Sequence, residues 1–299
     1  MQLSPDIYRY IDEQQYCSNK QHYGGEQMNI QVCTVLITGA SRGIGRAIAI
    51  QLAQQKVKRL ILVARSRDKL AEVAKIVETL DVEAVIMALD LTKPVLVNVA
   101  VAQLWRSYGA IDMLINCAGV AHQNSFLKTK LPQVQEELSL NFMGTYTMTH
   151  LVARRMVKRE RGTIVNVSSL MGKVAAPTMA TYSATKFAIL GFTEALRREL
   201  APHNIKVVSL LPTLTDTEMV RDLQLYRGVI PMSPEQVAQA FVRGLRRDSS
   251  EILVGWQSHL AILCQRFAPW LLETVLKLAS PQTKAPRIKE YYHKLVGSW

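Results

Sequence analysis

From Val32 onward, short unbroken apolar runs alternate with longer stretches in which apolar residues recur every three or four positions. A short apolar run bounded by turn-forming residues reads as a strand buried on both faces. Seven such runs predict strands at Val32–Thr38, Leu60–Ala64, Ala84–Ala88, Met113–Asn116, Thr163–Ser168, Lys206–Leu211 and Ile252–Val254. Between them, helical spacing covers Ile44–Gln54, Asp68–Leu80, Pro94–Tyr108, a long stretch Pro132–Lys158, Ala180–Leu200 and Pro234–Leu245. Proline in a first turn, as at Pro94, loses no hydrogen bond and marks a helix start. Strands separated by helices predict an α/β fold with a doubly wound parallel sheet in one domain, because right-handed crossovers leave few other arrangements.

The two ends break the alternation. Residues 1–31 are polar, with Tyr8, Tyr10, Tyr16 and Tyr23 among Gln, Asn and Gly, and predict an appendage to a domain spanning residues 32–255. Residues 256–299 form an amphipathic, basic extension. There Leu260, Leu263, Phe267, Trp270, Leu271, Val275 and Leu278 follow helical steps, Arg266, Glu273 and Lys277 interrupt them, and Pro269 divides two helices. A spanning helix needs about 20 mainly apolar residues, so this segment is too charged and broken to be one. Its apolar side needs cover. The expectation is a place at the mouth of a ligand cleft. A contact between copies stays open, as does a membrane surface, which Lys284, Arg287, Lys289 and Lys294 suit.

Composition narrows the classes. Lys and Arg outnumber Asp and Glu by 36 to 24, a formal charge of +12. The charge is spread along the chain, and its densest run, Arg154 to Arg161, reads as the solvated end of a helix facing the negative end of its dipole. No zinc-finger spacing or aromatic-interleaved basic block points to nucleic acid. Cys17, Cys33, Cys117 and Cys264 are far apart and form no CxxC pair, which fits a reducing compartment. The start has neither basic residues nor an apolar run, so a cytoplasmic protein is expected, with membrane association open through the extension. The histidines have no partners at metal-ligand spacing, and no metal is expected.

Thr38-Gly39-Ala40-Ser41-Arg42-Gly43-Ile44-Gly45 joins the first strand to the first helix. In that context the glycines admit a tight turn, a close phosphate and a closely packed helix, whose free N–H groups suit a dinucleotide pyrophosphate. The second strand ends Ala64-Arg65-Ser66-Arg67, where an NAD-binding site has a carboxylate for the ribose 2′-hydroxyl. Arg65 and Arg42, with hydroxyls from Ser41 and Ser66, suit a 2′-phosphate instead, which predicts NADP(H). Tyr182 and Lys186 are four residues apart on one helix face. A nearby ammonium favours phenolate and pulls a tyrosine toward the working range of an acid–base group.

Taken together, these motifs resemble the short-chain dehydrogenase/reductase family from about Cys33 to Val254. The markers are the glycine loop, Asp90, Asn116-Cys117-Ala118-Gly119, Asn141, Ser169, Tyr182 and Lys186 in the family's order and spacing. The resemblance implies a single-domain Rossmann fold and carbonyl–alcohol interconversion with NADP(H). It also implies roles: Ser169 holds the substrate oxygen, Tyr182 moves the proton, Lys186 adds a ribose contact, and Asn141 serves a water-linked relay. Asp90 and Leu91 would lie near the adenine, Asn116, Ala118 and Gly119 would line the cleft, and Thr217, after Pro212, would meet the carboxamide. Two departures stand out: Cys117 replaces a usual asparagine, and Pro212-Thr213 replaces Pro-Gly, which implies a differently shaped start to the substrate loop. The stretches Val167 to Pro177 and Tyr182 to Phe192 are similar to 11β-hydroxysteroid dehydrogenases, and the last strand with the tail after it to 3-ketodihydrosphingosine reductases. That implies a hydrophobic substrate; a homodimer or homotetramer is expected as well. A non-catalytic NADP(H)-binding scaffold and a sugar-nucleotide epimerase or dehydratase are the alternatives.

Overall fold

The structure, a computed structural model, describes residues 30–221 and 223–281. The polar residues 1–29 and the basic positions Lys284, Arg287, Lys289 and Lys294 lie outside the described residues, so neither the expected appendage nor that basic stretch is addressed by it.

Seven strands form one parallel sheet: β1 Thr34–Thr38, β2 Arg59–Ala64, β3 Glu83–Ala88, β4 Met113–Asn116, β5 Gly162–Val167, β6 Ile205–Leu211 and β7 Glu251–Leu253. Their spatial order is β3-β2-β1-β4-β5-β6-β7, every neighbouring pair parallel. The apolar runs are explained by position: β1 and β4 are buried along their whole length, whereas edge strand β3 is only half-buried. Strand ends move by a residue or two from expectation, most at β1, where Ile30–Val32 forms a 3-10 turn instead of strand.

The strands' alternating side chains feed two cores. On one face Val35 and Ile37 of β1 meet α1 Gly43–Gln54, α2 Arg67–Glu78 and α7 Pro234–Arg246, around Ile48, Leu52, Leu70 and Phe241. On the other, Leu36 meets α3 Pro94–Tyr108 and α5 Thr145–Val157 around Val97, Leu104, Met148 and Val152. Each such fully buried side chain contributes about 1.5–3 kcal/mol relative to exposure. Helix starts are fixed locally. In α7, Ser233 and Gln236 form a reciprocal capping box with Pro234 in the first turn.

The long predicted helix is a correction. Residues Leu131–Glu137 form α4, Leu138–Gly144 widen into a π-helical segment, and α5 follows. Gly144 sits where an added side-chain carbon would come within 3.2 Å of Leu91 Cβ, so the widened turn is pressed against the β3–α3 connection. π-Helical turns recur at functional sites, and Asn141 lies at the centre of this one.

Beyond α6 Ala180–Leu200 and β7, the extension forms α8 Trp256–Phe267 and α9 Pro269–Ala279, broken at Pro269. Leu272 and Ser258 are buried, and the Arg227 amide donates to the Ala279 carbonyl at 2.9 Å. Trp256, Phe267, Trp270 and Leu278 are more than two-thirds exposed. Among the described residues no helix is long and apolar enough to cross a membrane.

Candidate active site

The sheet order reverses between β1 and β4, one leading toward β2 and the other toward β5. A crevice outside the carboxyl ends of the strands opens at such a switch point. Here it is a cleft of about 300 Å³, lined by the glycine loop, the ends of β2 and β4, the first turn of α6 and residues 217–219.

The glycine loop is shaped by contacts that side chains would prevent. Gly39 has φ +68° and lies so close to the β4 end that an added carbon would fall 2.8 Å from Ala118 Cα. Gly43 has φ +53°, and a carbon there would come within 3.1 Å of Thr217 Cγ2. Thr38 locks the two strand ends together: its hydroxyl oxygen accepts from the amides of Cys117, at 3.0 Å, and Ala118, at 3.2 Å. The result is a cradle open to a phosphate, with Ser41, Arg42, Gly43, Ile44 and Gly45 on its wall.

Arg65 and Ser66 reach the same cleft, and the Ser66 hydroxyl also caps α2 through the Lys69 amide. Two residues that sequence reasoning missed complete this end. Lys69, in the first turn of α2, and Glu218, next to Thr217, both line the cleft. Glu218 Oε2 pairs with Arg42 Nη1 at 3.0 Å and with Lys69 Nζ at 3.3 Å. The Arg42 and Lys69 hydrogen bonds hold its carboxyl below the usual carboxylate range. A lysine one turn beyond Arg65 was a visible signal; Glu218, 149 residues from Lys69, gave none.

At the other end stand Tyr182 and Lys186, both lining the cleft. Lys186 Nζ donates to the Val167 carbonyl at 3.1 Å and lies 5.4 Å from the Tyr182 ring centre. Burial lowers the lysine to about 8, opposed by Cys117 and then by Glu137. Burial also pushes the Tyr182 phenol up to about 12, against a lowering hydrogen bond from Ser169 and a raising effect of Glu137. The expected fall of the tyrosine toward neutrality is therefore reversed in this structure, because desolvation of the phenolate outweighs what stabilises it. The adjacent serines divide their work. Ser168 is buried and donates to the Lys186 carbonyl at 2.9 Å, while Ser169 is the one beside the phenol and accepts from the Met171 amide at 3.1 Å.

Asn141 is fully buried and its amide is used up by protein partners. Oδ1 accepts from the Val120 amide at 2.8 Å, and Nδ2 donates to the Val120 carbonyl at 2.9 Å and to Thr185 Oγ1 at 3.2 Å. The side chain expected to serve a relay is thus engaged in holding the Val120 backbone and Thr185. Asn116 corrects the expectation that it lines the cleft. Its amide is buried behind β4, donating to Thr149 and Asn166 at 2.8 Å each, so it braces Cys117, Ala118 and Gly119, which do line the cleft. Asp90 turns one carboxylate oxygen onto the Thr92 amide and hydroxyl, at 2.9 and 2.8 Å, leaving Leu91 on the wall. The Thr92 amide, more than nearby Arg65, holds the Asp90 carboxyl low. Pro212 accepts the Leu170 amide at 2.9 Å, off the cleft wall, and Thr217 is on it. Thr213 is buried with its methyl 3.3 Å from where a carbon on Gly255 would sit; the glycine at 255 makes room for a threonine at 213. Burial raises the Cys117 thiol to about 12, that of a packed thiol.

With this geometry in view, the comparisons with known proteins are decisive. The short chain dehydrogenase family profile matches residues 33–227. The chain belongs to the short-chain dehydrogenase/reductase family. It is 34% identical over 222 residues to the 3-oxoacyl-acyl-carrier-protein reductase FabG of Aquifex aeolicus, covering 71% of this chain and 89% of that one. A short-chain dehydrogenase from Sphingobium yanoikuyae, solved in complex with NADPH, superposes with a TM-score of 0.71 at 28% identity, over 85% of this chain and 99% of that one. The bulky-bulky ketone specific alcohol dehydrogenase from Comamonas testosteroni does so with a TM-score of 0.68 at 25% identity, over 87% and 99%. As a member of this family the chain is an oxidoreductase.

Proposed function

We propose that this short-chain dehydrogenase/reductase uses NADP(H) to interconvert a hydrophobic ketone or aldehyde and its alcohol. The observation that carries it is the placement of Tyr182 and Lys186 in a cleft that also gathers Arg42, Arg65 and Lys69, with Ser169 hydrogen-bonded to the Tyr182 phenol. The cradle fits the cofactor: the glycine loop leaves backbone room for the pyrophosphate, the cations suit the 2′-phosphate, and the NADPH-bound relative shares the fold. When bound, the cofactor supplies the hydride.

The chain's own residues do the rest. Ser169 donates to the carbonyl oxygen and fixes it beside Tyr182. The Tyr182 hydroxyl, protonated at neutral pH in its buried setting, delivers the proton as negative charge develops on that oxygen. Lys186 as ammonium favours the phenolate that this transfer leaves, and Thr217 and Lys186 orient the reacting end of the cofactor. A scaffold or sensor has no use for a buried phenol and lysine so placed.

The hydrophobic substrate is supported by where the extension docks. The segment after β6 is tied to the opposite loops: the Gln224 amide donates to Gln123 Oε1 at 2.7 Å, and the Tyr226 hydroxyl donates to the Pro177 carbonyl. Helix α9 is tied to that same segment through Arg227, bringing an apolar helix beside the substrate loop. Self-association is supported by a separate exposed face on the π segment, α5 and α6, where Leu138, Met143 and Phe187 accompany a Phe142–Tyr146–Phe192 ring cluster. The test is NADPH consumption with carbonyl compounds of rising apolar size. Turnover rising with apolar size supports the reading, and turnover confined to small polar carbonyls contradicts it.

A further inference from the structure

Glu137 closes α4 at the edge of the π segment, and its side chain is buried at 1% exposure. A carboxylate buried beside a catalytic pair is costly unless something uses its charge or its acceptor oxygens. Its Oε1 accepts the His122 backbone N–H at 2.6 Å, while its neighbour Glu136 takes the His122 ring at 3.0 Å. One helical turn further on, Asn141 takes both backbone groups of Val120. The loop leaving β4 is thus pinned to this helix at two adjacent turns. An added carbon on Gly119, at the root of that loop, would lie 3.2 Å from Asn141 Oδ1 and 3.8 Å from Lys186 Nζ, so the pinned loop is wedged between the helix and the catalytic lysine.

The charged and titratable groups around Glu137 come from three elements. They are His122 on the loop, Glu136 on its own helix, and Lys186 on α6, with Tyr182 in reach of its field; Lys186 itself also faces Cys117, whose buried thiol is raised to about 12 and so stays uncharged near pH 8. Burial, with Glu136 adding to it, raises the Glu137 carboxyl, against the lowering effects of the His122 amide, the His122 ring and Lys186. Nothing in the hydride-and-proton scheme above assigns this carboxylate a role.

We propose that Glu137 is a positioning residue for carbonyl reduction: as a buried anion it keeps Lys186 an ammonium, and through the His122 amide it holds the loop that walls the site. This rests on the reading of Tyr182 and Lys186 as the proton-delivering pair. The sign follows from charge alone. Removing a negative charge near Lys186 lets the lysine lose its proton at lower pH, and well below that point both proteins carry the ammonium and behave alike.

The experiment is the pH dependence of kcat for NADPH-driven reduction, measured for wild type, Glu137→Gln, Glu137→Asp and Tyr182→Phe. In Glu137→Gln the alkaline limb moves down by about one pH unit, so kcat near pH 8 falls about fivefold while kcat near pH 6 stays within about twofold. Glu137→Asp, which keeps the charge, leaves the limb near its wild-type position even if its rate is lower throughout. A Glu137→Gln limb superimposed on wild type, or an equal loss at every pH, overturns the proposal. So does an Asp variant whose limb moves as far as that of Gln, and this comparison of limbs stands if either variant is less stable. If Tyr182→Phe is inactive and Glu137→Gln has the wild-type profile, the proposal alone fails. If Tyr182→Phe turns over normally, the underlying reading fails first.

Discussion

Arg42 and Glu218 meet at 3.0 Å across the phosphate end of the cleft, and the same carboxylate oxygen engages Lys69 at 3.3 Å. Glu218 thus occupies two of the cations that suit a 2′-phosphate, from a segment that also carries Thr217. A bound dianion and this carboxylate compete for the same guanidinium and ammonium. Glu218→Gln is expected to tighten NADPH binding about two- to fivefold, in keeping with the modest strength of partly exposed ion pairs. The gain shrinks as salt rises. Isothermal titration at two ionic strengths checks it, and weaker binding in the variant would mean that Glu218 supports the site.

Cofactor choice depends on Arg65. NADPH is expected to bind at least about tenfold more tightly than NADH, a difference of only ~1.4 kcal/mol, which one or two charge-assisted hydrogen bonds supply. Arg65→Ala should erase most of that ratio by weakening NADPH and sparing NADH. The two dissociation constants at one salt concentration decide the matter; an unchanged ratio assigns the discrimination elsewhere.

Lys186 gives the reaction a pH dependence. Its folded value, lowered from 10.5 to about 8 by burial, means that the ammonium is present below that pH and lost above it. The rate of reduction should therefore fall as pH rises through about 8. Lys186→Ala should impair both NADPH binding and turnover, because the side chain has two assignments. A rate flat to about pH 10 would show that the ammonium is not needed.

Much of this was legible in the sequence, and the misses have physical causes. Strands such as β1 and β4 were readable because burial on both faces forbids polar residues along them. The π segment around Asn141 was not, since its widened turn follows from packing of Gly144 on Leu91 and carries no proline to announce it. Tyr182 and Lys186 were found by spacing, yet the direction of the tyrosine shift was not, because desolvation depends on surroundings that spacing does not specify. Glu137 reads as a solvated residue in an amphipathic stretch, and Glu218 as one more loop acid, until the fold brings each to its partners.

The extension offers a separate test. Truncation after Val254, in a protein that stays folded, removes α8 and α9 and with them the Arg227–Ala279 tie to the substrate loop. Activity toward large apolar carbonyls should fall at least about tenfold with activity toward small ones kept, as each 100 Å² of lost apolar wall is worth about 2.5 kcal/mol at most. Equal kinetics for both classes would remove the extension from the substrate site. Loss of liposome binding in the same protein would place it on a membrane surface.

The most direct measurement of the central claim is turnover by Tyr182→Phe on a substrate that the wild type reduces. The substitution removes one hydroxyl from a buried ring and leaves the phosphate end of the cleft untouched. The account predicts loss of at least about a thousandfold in kcat, in the range of a positioned proton donor, with the NADPH dissociation constant within about twofold of wild type. Retained turnover with normal NADPH binding would contradict it and take proton delivery away from Tyr182.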